Sequence, residues 1–204
     1  MKTLLEEQKT WKEQNEEGRA SGRMKRSVQI GHFEVERLEQ YTRKENVKIY
    51  GLKEEQGENT TGVVLDLAKQ MGVDIKATDL SICHRLGSTP ADDHQRKKER
   101  TVIARFTRRE AKATFMRAKK GLRKREDLKH VYINDDLTRL RSKVVQEMRK
   151  DTGILRVWTI DGKIHYISKS DGRQSIRVLD LLDNLRDIGW DEDRIKKLGV
   201  CLDI

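Results

Sequence analysis

Hydrophobic and polar residues change their spacing several times along the chain, and these changes predict alternating strands and helices. Between residues 46 and 135, four short segments alternate apolar and polar positions, as half-buried strands do. Two segments between them repeat apolar residues every three or four positions, as amphipathic helices do. The predicted strands are Val47–Gly51, Leu80–His84, Thr101–Phe106 and Val131–Asn134, and the second of these is weaker and typical of a sheet edge.

Capping residues mark the ends of the two predicted helices. Asn59 or Thr60 caps the first helix, and Gly72 ends it. Thr107 and Glu110 have the T-x-x-E spacing of a capping box, which predicts that the second helix begins there. The element order is then β-α-β-β-α-β, the ferredoxin-like arrangement whose nucleic-acid-binding version is the RNA-recognition motif (RRM). The predicted apolar faces are Val64, Leu67, Ala68 and Met71 in the first helix, and Ala111, Phe115, Ala118 and Leu122 in the second.

Residues 136–204 are predicted to form a small C-terminal α/β domain. A helix follows Asp135 and Asp136, either of which is expected to be its N-cap. Asp161-Gly162 lies between two apolar segments, 154–160 and 164–167, and predicts a β-hairpin. Ser175 is expected to open another helix, and residues 191–198 to add a last helical turn. The predicted inward residues of the Ser175 helix are Val178, Leu181, Leu182 and Leu185.

Residues 1–45 have few apolar positions and predict a helix from about His32 to Lys44. Val28 and Val35 lie seven residues apart, with Leu38 at a matching position of the heptad. This is two heptads at most, whereas a sustained coiled coil needs three or four. The segment is therefore either the end of a coiled-coil stalk or a monomeric amphipathic helix. The predicted fold class is α+β, with a helical segment 1–45, an RRM-like domain 46–135 and an α/β domain 136–204.

Positive charge is concentrated in one stretch of this chain. The 204 residues carry 44 Lys and Arg against 34 Asp and Glu, a net charge of +10. Residues 96–129 alone hold fifteen basic and four acidic residues, so the rest of the chain is nearly neutral. Because this stretch includes a predicted strand and helix, its charges form a fixed field suited to a polyanion.

The sequence has neither a long apolar run nor a CxxC motif, and these two absences lead to expectations about membrane association and compartment. We expect no membrane association, because no apolar run approaches the roughly 18 residues that span a bilayer. Cys83 and Cys201 form no CxxC motif, which favours two reduced thiols in an intracellular protein.

The outward positions of the predicted sheet are candidate contacts with a nucleic acid. An RRM stacks bases on aromatic residues of its central strands. In this chain those positions hold Lys48, Thr101 and Ile103, so capture of the nucleic-acid backbone is favoured over base stacking. Trp158 is either a core residue or a base-stacking residue. The basic candidates on and before the third strand are Lys97, Lys98, Arg100 and Arg105, and those on the second helix include Arg117 and Lys120.

Catalytic motifs are missing from the sequence. The five histidines are scattered without metal-binding spacing, and there is no phosphate-binding glycine loop or nucleophile motif. We therefore expect no enzymatic activity, no cofactor and no metal.

Five segments, in order, resemble the RNA-binding first-open-reading-frame protein of LINE-type (non-LTR) retrotransposons. The resemblance covers about residues 35–190. It implies an RRM-like domain and a C-terminal domain, a homotrimer formed through an N-terminal coiled coil, and nucleic-acid chaperone activity on single-stranded RNA. By motif position it implies that Asn46, Lys48, Arg85, Arg105, Arg117, Lys120, Arg141 and Trp158 contact RNA. The five segments are LEQYTRKENVKIYG (38–51), CHRLG (83–87), RTVIARF (100–106), VYINDDLT (131–138) and WTIDGKI (158–164).

The sequence thus predicts a non-enzymatic protein that binds single-stranded RNA within cytoplasmic ribonucleoprotein particles, with DNA as a second candidate ligand and the nucleus as a second candidate location. The alternative is a coiled-coil scaffold that uses its basic stretch to hold an acidic protein partner. A nuclease ranks third, because no acidic metal cluster is visible in the sequence.

Overall fold

The computed structural model describes residues 19, 21–24, 27–28, 30–88, 99–170, 175–179, 185 and 187–198. Its fold is mixed α+β with two antiparallel sheets, in agreement with the predicted class. The chain divides into two compact units. Unit 1 comprises Met1–Gln40, Thr138–Val157 and Ile164–Ile204, and unit 2 comprises Tyr41–Leu137 and Trp158–Lys163. The predicted division at residues 45 and 135 differs from this one, in which the first 40 residues group with the C-terminal part.

Helix α1 includes residues 30–42, and the described residues before it, 19, 21–24 and 27–28, are also helical. A four-stranded sheet then follows, with strand order β2-β3-β1-β4 and antiparallel neighbours throughout. Strand β2 lies at the sheet edge, as its weak pattern predicted. The elements are β1 (Asn46–Tyr50), α2 (Thr60–Gln70), a 3₁₀ turn (Ala77–Asp79), β2 (Leu80–Arg85), β3 (Val102–Phe106), α3 (Arg109–Ala118), a second 3₁₀ segment (Lys119–Lys124) and β4 (Tyr132–Asp135).

One face of this sheet is covered by α2 and α3. No described helix of unit 2 covers the other face, which we call the open face. Val47 and Ile49 of β1 are fully buried against the helices, as are Val102 and Ala104 of β3. Phe106 and Phe115 join the sheet to α3, with ring centroids 5.4 Å apart. Because successive side chains of a strand point to opposite faces, the residues between these core positions form the open face.

Both predicted ends of α2 are confirmed, since Gly72 follows its last turn with φ 74°, but the other predicted N-caps are wrong. Asn59 caps α2, and its side chain accepts a hydrogen bond from Gly62 N at 3.2 Å. The Thr107 capping box is wrong, because α3 begins at Arg109 and the Thr107 hydroxyl donates to Thr78 O instead. The predicted cap at Asp135 or Asp136 is also wrong, since Thr138 caps α4 and accepts from Arg141 N at 3.2 Å.

The C-terminal elements include a second sheet, with strand order β5-β6-β7. The turn of its first hairpin has positive φ at Asp161 (51°) and Gly162 (79°), which confirms the predicted hairpin. A helix opening at Ser175 is wrong: this segment forms β7, where Leu179 is buried opposite Ile164. Leu181 and Leu182 lie outside the described residues. The elements are α4 (Arg139–Lys150), β5 (Ile154–Ile160), β6 (Lys163–Ser168), β7 (Arg177–Leu179) and α5 (Glu192–Lys197).

Within unit 1, the buried residues of the N-terminal helix are polar. Glu36 is buried and accepts hydrogen bonds from Arg141 Nε (2.8 Å) and the Thr138 hydroxyl (2.6 Å). Gln40, one turn later, accepts a hydrogen bond from Thr138 N. The apolar residues Val35 and Leu38 are instead 65% and 61% exposed. This is the reverse of an ordinary surface helix, which buries its apolar stripe.

Candidate nucleic-acid interface

Cross-strand pairing arranges the open face of unit 2 in three rows of side chains. One row runs from Ile82 through Arg105 to Asn46, because these residues are partners in the strand register. The next row contains His84, Ile103, Lys48 and Asn134, and the last contains Tyr50 and Tyr132. The open face therefore combines basic, aromatic and aliphatic side chains on one rigid sheet.

Arg105 is the exposed cation of this face. Its backbone lies on β3 between β1 and β2, so its position is fixed by pairing on both sides. Among the described residues, no acidic side chain pairs with its guanidinium. An exposed arginine without a counter-charge on a rigid strand is well placed to bind an anionic group.

Lys48 and Asn46 point to the same open face, but both are engaged by a buried carboxylate. Lys48 Nζ lies 2.7 Å from Asp136 Oδ1, Arg43 Nη1 lies 3.1 Å from the same oxygen, and Asn46 Nδ2 donates to Oδ2 at 3.0 Å. Burial alone would raise the pKa of Asp136. The bonds from Asn46 and Lys48 and the charges of Lys48 and Arg43 outweigh it, so the pKa is lowered. Asp136 is thus ionised and neutralises much of the positive charge of Lys48.

Arg85 has a buried position that holds the loop after β1. Its guanidinium donates to both carboxylate oxygens of Glu58, at 2.7 and 2.9 Å, and to the carbonyl oxygens of Leu52 and Lys53. The hydrogen bond from Arg85 also lowers the pKa of Glu58, although burial opposes this. Arg85 therefore braces the fold, and its predicted contact with RNA would require these bonds to break.

Arg100 is likewise engaged before β3 begins. Its Nε donates to Glu54 Oε1 at 3.0 Å and its Nη1 to Gly87 O at 2.7 Å. Lys97 and Lys98, the neighbouring candidates, lie outside the described residues.

A group of exposed cations lies at the end of α3 and along the following 3₁₀ segment. We call these four residues the α3 cation cluster: Arg117, Lys120, Arg123 and Lys124. Among the described residues, none of the four has an acidic partner; Arg117 donates only to the Thr114 hydroxyl, at 3.2 Å. The neighbouring Lys119 is half-buried and donates to Ile133 O. Burial lowers the pKa of Lys119, and the nearby Lys112 and Arg123 add to this effect, although Asp135 opposes it.

Apart from Arg105 and Lys119, the other described cations of the basic stretch are paired with acids. Arg108 Nε lies 2.8 Å from Asp79, and Arg109 lies 3.5 Å from Glu45. Lys112 is buried between Asp135 and Asp161, at 3.1 Å from each. Arg125 pairs with Asp127 at 2.6 Å and Lys129 with Glu126 at 2.5 Å. In the described part of the stretch, fewer cations are therefore unpaired than its composition indicates.

Arg105 and the α3 cation cluster lie on different sides of the sheet. Arg105 is on the open face, whereas α3 packs through Phe115 on the covered face. The sequence placed both in one field, but the structure gives two separate positive surfaces.

Two further predicted residues belong elsewhere. Arg141 is buried in unit 1, where its guanidinium binds Glu36, so it is not displayed to a ligand. Trp158 is half-buried on β5. This burial favours neither of the two interpretations that the sequence left open, a core residue or a base-stacking residue.

The described ranges contain neither a metal-binding cluster nor a membrane-spanning helix. No group of three or more histidine, cysteine or acidic side chains there could hold a metal ion. In the same part of the chain, no helix is both long and apolar enough to cross a bilayer. Cys83 is a free thiol whose pKa is raised by burial, and Cys201 lies outside the described residues.

Sequence reasoning missed two features of this surface. The first is Asp136, which it treated as a helix cap rather than as the counter-ion of Lys48. The second is the direct pairing of Tyr50 with Tyr132, which depends on the β1–β4 register. Both tyrosines occupy outward positions in the sequence pattern, so the register was the missing information.

Comparison with known proteins adds no further assignment. The sequence matches no protein-family model and no curated protein, so the site stands on its own geometry.

Proposed function

We propose that this protein binds single-stranded RNA through unit 2 and acts as a nucleic-acid chaperone in a ribonucleoprotein particle. One observation carries the proposal. Five exposed cations, Arg105 and the four of the α3 cation cluster, have no acidic partner in the described part of the chain, although most of their basic neighbours do. Uncompensated cations on folded elements favour binding to a polyanion, with affinity that depends steeply on salt.

The topology supports an RRM-like assignment for unit 2. Its elements follow the order β-α-β-β-α-β, and its strand order 2-3-1-4 leaves one sheet face open. RRM domains bind single-stranded RNA on such a face. We also propose that the likeness to LINE-type first-open-reading-frame proteins reflects a shared role, which would place the protein in cytoplasmic particles or also in the nucleus.

Self-association through the N-terminal helix is part of the proposal. Val28, Val35 and Leu38 follow heptad spacing and are all more than half exposed. An exposed apolar stripe beside a buried polar one is what a coiled-coil seam requires, and the resemblance favours a homotrimer. Sedimentation of the full chain and of a Val35→Asp, Leu38→Asp variant tests this. We expect a smaller mass for the variant, whereas equal masses would mean that the stripe does not mediate assembly.

Salt titration of RNA binding tests the main proposal. For single strands, log Kobs falls with log salt by about 0.7 per phosphate contact. Replacing the four residues of the α3 cation cluster by glutamine should reduce that slope by up to about 3, and Arg105→Gln should reduce it by about 0.7. Lys129→Gln is the matched control: this residue is exposed and belongs to the same stretch, but it is paired with Glu126.

Two results would contradict the proposal. The first is an RNA affinity that barely changes between low and high salt. The second is a slope that changes as much for Lys129→Gln as for the cluster variant. If the cluster variant loses binding to polyglutamate but retains binding to RNA, the acidic-partner scaffold becomes the better assignment.

A further inference from the structure

Two tyrosines stand side by side at one end of the open face. Tyr50 of β1 and Tyr132 of β4 are direct partners in an antiparallel pair, an arrangement that places Cβ atoms about 5 Å apart. Tyr132 is 57% exposed and Tyr50 is half-buried. Neither hydroxyl has a hydrogen-bond partner among the described residues. The sheet thus displays two adjacent aromatic rings that no neighbouring element covers fully.

The backbone next to this pair is closely packed. Gly51 follows Tyr50 with φ +82°, and a Cβ there would lie 2.3 Å from His130 O. Only glycine permits this contact between the end of β1 and the segment that leads into β4. The close approach limits sliding of the two strands and so keeps the rings in register before any ligand arrives.

We propose that the Tyr50–Tyr132 pair is a stacking platform for an unpaired base of single-stranded nucleic acid; this inference rests on the proposed function. Aromatic side chains stack on bases of any identity, because every base has a π-face. The central-strand positions at which an RRM usually stacks bases hold Lys48 and Ile103 in this chain. Stacking is therefore displaced to the β1–β4 edge.

The neighbouring rows favour a nucleic acid over a protein partner. Lys48 lies one row away from the tyrosines and Arg105 two rows away, roughly 7 and 13 Å along the strand. The core of a protein–protein interface is depleted of charge, whereas a single-strand site combines aromatic rings with cations. Lys48 and Arg43 share the single negative charge of Asp136, so this group of three side chains keeps a net positive charge toward a phosphate.

Base-dependent binding separates this platform from a purely electrostatic site. Two labelled probes are compared by fluorescence anisotropy: an oligouridylate, and an abasic ribose-phosphate oligomer of the same length. Tyr132→Leu should weaken oligouridylate binding roughly tenfold, the effect of one lost stack, and leave abasic binding and the salt slope unchanged. Tyr132→Phe should bind as the wild type does. Tyr41→Leu is the matched control, because Tyr41 is also 57% exposed but lies on α1.

A second variant reads stacking directly. The tryptophan fluorescence of Tyr132→Trp should decrease when oligouridylate is added but not when the abasic oligomer is added. If Tyr132→Leu does not fold, this measurement still tests stacking. If the leucine variants of Tyr50 and Tyr132 bind oligouridylate as tightly as the wild type, or weaken both probes equally, the platform is refuted while the proposed function stands. Absence of quenching in Tyr132→Trp also refutes it. If the wild type binds neither probe, the proposed function fails, and this inference fails with it.

Discussion

The buried ion pair of unit 1 gives a sharp test of the difference between a structural and a ligand-binding arginine. The sequence placed Arg141 among the RNA contacts, whereas the structure places it against Glu36, with both side chains buried. We expect Arg141→Met to destabilise the protein and to leave RNA affinity unchanged at temperatures where the variant is folded. A residue that contacts RNA would show the opposite combination.

The expected magnitude follows from the contacts that are lost. Arg141 donates to Glu36 from Nε at 2.8 Å and from Nη2 at 3.1 Å. Each hydrogen bond to a charged group contributes about 1.5–3 kcal/mol, and removal of one partner of a buried pair costs about 3–5 kcal/mol. For a chain of this length each kcal/mol corresponds to about 2–4 °C in Tm, so we expect a decrease of roughly 10 °C.

Thermal unfolding of three variants isolates the pair. Arg141→Met and Glu36→Leu each leave one buried charge, whereas the double variant leaves none and should regain most of the lost stability. Glu36→Leu and the double variant also remove the acceptor of the Thr138 hydroxyl, which donates to Glu36 at 2.6 Å. A melting temperature for Arg141→Met within a degree or two of the wild type would refute the reasoning. So would a double variant less stable than either single one.

Three further outcomes are expected. Gly51→Ala should lower the free energy of unfolding by about 2 kcal/mol or more in urea titration, because φ is positive and the new Cβ would meet His130 O; an unchanged midpoint would contradict this. The pKa of Asp136 is lowered in the folded protein. The ionised carboxylate therefore stabilises the fold fully above the pKa of the unfolded state, about 3.9, and this stabilisation is lost as pH falls through the pKa of the folded state. Asp136→Asn should therefore flatten the stability profile below about pH 4, and an equally steep profile would exclude this role. Lys112→Met should destabilise by about 3–5 kcal/mol, because Asp135 loses its buried partner, and leave the salt slope of RNA binding unchanged; a reduced slope would place Lys112 at the interface.

The sequence predicted the strands of unit 2 well, because their signal is local. Alternation in Val47–Gly51 and Thr101–Phe106 reflects burial of one sheet face. The observed β1 is shifted by one residue at both ends, and β3 begins one residue later than predicted. The Asp161-Gly162 turn was equally readable, since positive φ at both central residues favours this dipeptide.

Helix caps and site residues were less predictable, because their partners are distant in the chain. The carboxylate of Glu58 is 27 residues from Arg85, and that of Glu36 is 105 residues from Arg141. A basic residue with such a partner is indistinguishable in sequence from one without it. Arg105 could be placed on the open face by alternation alone, but its lack of a counter-charge became visible only in the structure.

Unit 2 is built from two separate segments of the chain, and this affects how it folds during synthesis. Residues 158–163 belong to it, although residues 138–157 do not. The Thr159 hydroxyl donates to Asp135 Oδ2 at 2.7 Å, and Asp161 pairs with Lys112. On the ribosome, the four strands of the sheet leave the exit tunnel before these two residues do. While residues 138 onward are still inside the tunnel, the sheet strands are available but the carboxylate of Asp135 lacks the Thr159 bond. Cotranslational folding of this unit is completed only after the hairpin turn leaves the exit tunnel.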